Sequence, residues 1–159
     1  MLHFAANPPF SFERFLEICK DKIADEDIEV IKLAKEAYTY QGEQPTLKRW
    51  CAFEVALRNE LVKIRAGRKH IDPLKYIRGD GYIEPHIAHI AMNACRNPAI
   101  LEAEKGLDQG RWGALDELAV GHYFDLDFLL TYALKLLILE RWQRINSADK
   151  PSLLNGIIN

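Results

Sequence analysis

Hydrophobic positions recur along this chain at helical spacing, and they are densest between Asp125 and Arg144. Phe128 to Leu139 reads FLLTYALKLLIL, apolar except at Thr131 and Lys135, and Trp142 extends the run. Asp127, Thr131 and Lys135 fall at i, i+4 and i+8, so on a helix their polar atoms share one narrow stripe. A helix this greasy around its circumference must be covered on several sides. The run falls short of the roughly 20 residues a membrane span needs, and it contains a lysine. The pattern predicts the central helix of a bundle, capped by Asp125 and ending near Asn146.

The same periodicity, punctuated by Gly and Pro, divides the rest of the chain. Residues 1–10 are expected to be extended, because Pro8 and Pro9 bar an early helix, with Leu2, Phe4 and Phe10 free to lie across a core. Ser11 caps a short helix carrying Phe12, Phe15, Leu16 and Cys19, although Arg14 stands where a capping box would place Glu. Asp25 caps the next, with Ile28, Ile31, Leu33, Ala34 and Tyr38 at helical spacing. Thr46 opens a long helix to about Lys69 with Trp50, Phe53, Leu57, Leu61 and Ile64 on one stripe. Asp72-Pro73 starts a turn, Arg78 to Gly81 is rich in turn residues, and Pro85 opens a helix ending at Arg96. Asn97-Pro98 reads as a helix start, and Gly121 as the stop after Val120. That helix carries Gly106, Gly110 and Gly113, so it either admits a close neighbour or kinks near Gly110. The tail 147–159, with Leu153, Leu154, Ile157 and Ile158, reads as a last short helix that packs in place, docks or frays. No strand alternation of useful length occurs. The expected fold is all-α, one domain over 1–159, a bundle of about six helices around a C-terminal hairpin of 97–120 and 125–146.

Composition adds limits. An apolar content of 48% and a charged content of 28% fit a globular chain large enough for its own core. A net charge of −2 gives no global reason to expect nucleic acid. Cys19, Cys51 and Cys95 are odd in number, lack a CxxC pair and suit reduced thiols in the cytoplasm. The N-terminus lacks the build of a signal peptide. Charge is nevertheless segregated. Nine Lys/Arg face three Asp/Glu from Lys48 to Arg78, and seven Asp/Glu face two Lys/Arg from Glu102 to Asp127. The two segments either neutralise each other in the fold or mark docking surfaces.

Candidate chemistry is sparse. Glu104, Asp108 and Arg111 lie on one helical line between Leu101 and Leu115, and polar groups set among apolar ones need partners. The expected arrangement is a structural ion pair, Asp108 with Arg111 or with Arg58 of the long basic helix. Lys63, Arg65, Arg68 and Lys69 form a candidate docking surface, or else simply complement the helix C-terminus. His86 and His89 at i, i+3, with Glu104 and Asp108 at i, i+4, suggest a metal or hydrolytic site as the alternative. The Glu-x-x-His pairs of di-metal bundles are missing from the sequence, as are Gly-rich phosphate loops. No cofactor is expected, and no catalytic residue stands out.

Three stretches carry a likeness: PPFSFERFLEIC at 8–19, FEVALRNELVKIRAGR at 53–68, and AEKGLDQGRWGALDELAVGHYFDLDFLLTYALKLLILERW at 103–142. Together they resemble a bacterial family of uncharacterised proteins encoded within V/A-type ATP synthase operons. The likeness extends from about residue 2 to residue 146. Leu107-Asp108 followed by Trp112 and Leu115 is also similar to helices of the all-α central-stalk connector of V/A-type ATPases. The resemblance implies a non-catalytic subunit or accessory factor of a rotary ATPase, whose partners are other subunits at the central stalk or rotor ring. It implies a cytoplasmic place, peripheral to the membrane through the complex. Family members begin with a short additional segment, so this chain is expected to lack that start. The stalk connector is about twice as long, so one such chain would not bridge stalk and ring in the same way.

Overall fold

The structure, a computed structural model, describes residues 1–80 and 84–158. Its described residues form six α-helices: α1 (Phe12–Cys19), α2 (Asp25–Lys32), α3 (Pro45–Lys69), α4 (Pro85–Arg96), α5 (Ile100–Leu118) and α6 (Leu126–Ile158). Short 3-10 turns occupy Leu33–Thr39 and Pro73–Lys75. The all-α expectation holds. The chain forms two compact units, one of Met1–Lys35 with Gly121–Asn159, the other of Glu36–Val120.

In the first unit α6 packs on α1 and α2. Leu130, Ala133, Leu134, Leu136, Ile138 and Leu139 are buried, which spreads burial around most of the helix, as the apolar run demands. Thr131, inside that run, is also buried and donates its hydroxyl to Phe128 O at 2.9 Å. The Asp125 carboxylate caps the helix by accepting from Phe128 N at 2.9 Å. Ser11 caps α1 through Arg14 N. The N-terminal segment is not extended throughout, since it turns at Ala5 (φ 64°), with Ala6 N donating to His3 O at 3.2 Å. It lays Phe10 with its ring centroid 6.3 Å from those of both Phe15 and Tyr132, forming an aromatic cluster on α1 and α6.

Three details of α2, the turn that follows it and α6 depart from expectation. Asp25 is the first residue of α2 rather than its cap, which falls on Ala24 without a side-chain bond. The helix stops at Lys32 and tightens into the 3-10 turn, where Glu36 leaves helical geometry (φ −118°), and Leu33 and Tyr38 end up exposed. α6 runs on to Ile158 without closing near Asn146. The side chains of Leu153, Leu154, Ile157 and Ile158 lie outside the described residues, as does Gly81.

The second unit is built on α3, which packs on α4 and α5, while α4 packs on α5. Leu57, Ile87, Ala91, Ala94 and Leu107 form its core, with Phe53, Leu61, Ile64 and Ile90 packed against it. The α3 stripe therefore does what its spacing predicts. Gln44, not Thr46, caps α3, accepting from Leu47 N at 2.8 Å ahead of Pro45. At its other end His70 takes the left-handed conformation (φ 54°), and Ile71 N reaches back to Ala66 O at 3.1 Å. α5 starts at Ile100 because Asn97 instead ends α4 and turns the chain by accepting from Ala99 N.

The two helices expected to form a hairpin both exist, and each has packing partners within its own unit. α5 is covered by α4 and α3, and α6 by α1 and α2, each within its own unit. The small face of α5 explains its choice. At Gly110 an added Cβ would sit 2.9 Å from Ile90 Cδ1 and Cγ2, so the glycine admits a side chain of α4. Gly121 (φ 82°) then breaks the chain before His122. Among the described residues no helix is long and apolar enough to cross a membrane.

Candidate functional site

The charged line on α5 resolves into a buried network. Asp108 is 1% exposed, and its Oδ1 accepts from Arg111 Nη1 at 2.9 Å. Arg111 also grips Glu54 of α3 with two bonds, Nε to Oε1 at 2.7 Å and Nη2 to Oε2 at 3.2 Å. Burial alone would push the guanidinium down, but the bonds and charges of Glu54 and Asp108 outweigh it and hold Arg111 above its ordinary value. The expected Asp108–Arg111 pair forms. Its third member, Glu54, lies 57 residues away in sequence, and no spacing pattern points to it.

Arg58, the other expected partner, is committed elsewhere. Its Nη1 donates to Tyr76 O at 3.0 Å, while the neighbouring Asn59 brackets the backbone of Arg78 with two bonds. Glu104 is half-buried. The two histidines are both exposed and take local partners: His86 Nδ1 lies 3.3 Å from a Glu84 oxygen, and His89 Nε2 lies 3.0 Å from Asn93 Nδ2. The structure thus joins Asp108 to Arg111 and leaves His86 and His89 out of that network.

The candidate basic surface divides as well. Lys63 is tied to Glu60 at 2.6 Å, and Arg68 Nη2 donates to Cys95 O at 2.6 Å, near the last carbonyls of α4. Arg65 and Lys69 stay exposed. The end expected to hold these cations is that of α3, whereas Arg68 meets a carbonyl in the last turn of α4.

Two further places have the raw material of a site. A cavity of about 430 Å³ in the second unit has Phe53 and Ile87 among its walls and Arg49, Glu84, His86 and Glu117 as its polar groups. Among the described residues that line it there is no serine, threonine or cysteine. In the first unit His122, Asp125 and Asp127 hold donor atoms within 4.8 Å of one another, a set able in principle to hold a cation. The same atoms already satisfy one another, with His122 Nδ1 at 2.6 Å from Asp125 Oδ2 and 3.8 Å from Asp127 Oδ2. The bond from His122, with the Phe128 N–H, holds the Asp125 carboxyl below the usual carboxylate range. Beside this brace Tyr123 and Phe124 project into solvent, 70% and 102% exposed. The helix stop and cap around them are legible in Gly121 and Asp125, whereas the role of His122 is not.

A family model described as a protein of unknown function (DUF2764) matches residues 89–159. That span covers most of α4, all of α5 and α6, and the braced loop between the last two. No curated protein and no solved structure matches the chain.

Proposed function

We propose that the chain is a non-catalytic helical subunit or accessory factor of a V/A-type rotary ATPase, acting by protein–protein docking at the central stalk or rotor ring. The sequence likeness over 8–19, 53–68 and 103–142 supports the choice of complex, and the exposed surface supports docking as the mode of action. The observation that carries the docking mode is the exposure of Tyr123 and Phe124 on a loop braced by His122 and Asp125. Large aromatic side chains in water cost free energy unless a partner covers them, and aromatic anchors dominate binding at interfaces. The loop is also part of the acidic segment 102–127, so a partner with basic residues around an apolar pocket suits it.

The alternative, a metal-binding or hydrolytic enzyme using Glu104 and Asp108 with His86 and His89, has less support. Asp108 is spent on a buried ion pair and the histidines on local contacts. Affinity purification of the tagged chain from solubilised membranes tests the proposal. Stalk and rotor proteins are expected to copurify, and Phe124→Asp is expected to reduce their recovery. Recovery of none of them overturns the reading.

A further inference from the structure

The chain from the end of α3 to residue 78 has a chemistry of its own. Ile71, Leu74 and Tyr76 are large apolar side chains left in solvent, Leu74 at 75% exposure. Arg65, Lys69, Lys75 and Arg78 are exposed as well, against Asp72 and Asp80 as the acidic groups of the stretch. Arg65 and Lys69 follow Arg58 at helical intervals that return to the same face of α3. Arg58 marks what that face meets, because its guanidinium donates to Tyr76 O at 3.0 Å. The backbone of the loop that carries these apolar side chains therefore lies against the face of α3 that carries the cations.

The loop is also held in shape. Asn59, 3% exposed, gives its Nδ2 to Arg78 O at 2.7 Å and accepts from Arg78 N at 3.0 Å. Asp72 caps the turn by accepting from Leu74 N at 3.0 Å. Side chains fixed at both ends of the loop keep its apolar tips in water.

We propose that this surface binds an anionic lipid bilayer, with Ile71, Leu74 and Tyr76 entering the headgroup boundary and Arg65, Lys69, Lys75 and Arg78 meeting lipid phosphates. A bilayer offers both parts of the match, a plane of negative charge and a yielding apolar layer beneath it. A nucleic acid offers the charge without that layer. An acidic protein would need a cleft shaped to Leu74, which lipid does not. The net charge of −2 makes the attraction local to this face, so it fades within about 8 Å at physiological salt. The proposal does not rest on the ATPase reading.

The test is sedimentation of the purified full chain with vesicles of phosphatidylcholine, with or without phosphatidylglycerol. The chain is expected to sediment with the anionic vesicles alone, and less so as salt is added. Arg65→Gln and Lys69→Gln are each expected to lower partitioning about fivefold. Leu74→Ser is expected to lower it about tenfold. All three positions are exposed, and unchanged melting would show that the variants are folded. Equal recovery in the supernatant with both vesicles overturns the proposal, as does sedimentation that no variant alters. Binding of single-stranded RNA or polyglutamate through Arg65 and Lys69, with vesicles left unbound, also overturns it.

Discussion

Arg111 is surrounded by two carboxylates, Glu54 and Asp108, and the desolvation of all three groups is offset only while they stay together. Arg111→Ala would leave Asp108 buried without its guanidinium, so a loss of about 3 kcal/mol or more is expected in denaturant unfolding. Replacing all three by apolar residues of similar volume should recover much of that loss. A single variant that melts like the wild type would contradict the assignment. Asp125 gives a second residue-scale test. Its folded value lies below the ordinary one, so its contribution is present above the ordinary carboxylate range and is lost as pH falls through the lowered value. Melting temperature should drop across that acid window, and Asp125→Asn should flatten the drop while lowering stability at neutral pH. The Asp108–Arg111 pair can be read from helical spacing, which puts residues three apart on one face. Glu54 cannot, because only the packing of α3 on α5 brings it near.

α5 owes its neighbour to a missing methyl group. Gly110 leaves room for Ile90, so Gly110→Ala should lose about 1 kcal/mol, the crowding outweighing the gain in helix propensity. Gly113 has nothing within 4 Å of its would-be Cβ, and Gly113→Ala should gain about 0.5–1 kcal/mol. Opposite signs in the two melts would support the packing, and a double-mutant cycle with Ile90→Ala should remove the Gly110 penalty. At this scale the helices are legible from apolar spacing and turn residues, which is why α3, α4 and α6 begin within a residue or so of their expected starts. Their partners are not legible, since a small-residue face accepts any neighbour that fits. The N-cap signals mislead at Asp25 and Asn97, where the carboxylate and amide serve a first turn and an earlier helix's end. The Asn59 clamp is hidden for another reason: an asparagine amid a helix reads as a surface residue until its backbone partners at Arg78 are known. Asn59→Ala should speed hydrogen exchange of the Arg78 amide and cost about 1–3 kcal/mol.

Across the described residues of the molecule, buried polar side chains are satisfied and large apolar ones are exposed at several separate places. Among the described residues no buried side-chain N or O lacks a hydrogen-bond partner. Tyr123 and Phe124 are among the exposed apolar side chains of the first unit, and Ile71, Leu74, Tyr76, Ile100 and Val120 among those of the second. Exposed apolar side chains of this kind are what support the docking mode we propose. The measurement that tests this most directly is binding of the purified chain to a purified V/A-type ATPase, with ATP turnover followed for the chain alone. Saturable binding weakened by Phe124→Asp is expected, with no turnover by the chain itself. Turnover by the chain alone, or no binding at micromolar concentrations, would contradict it.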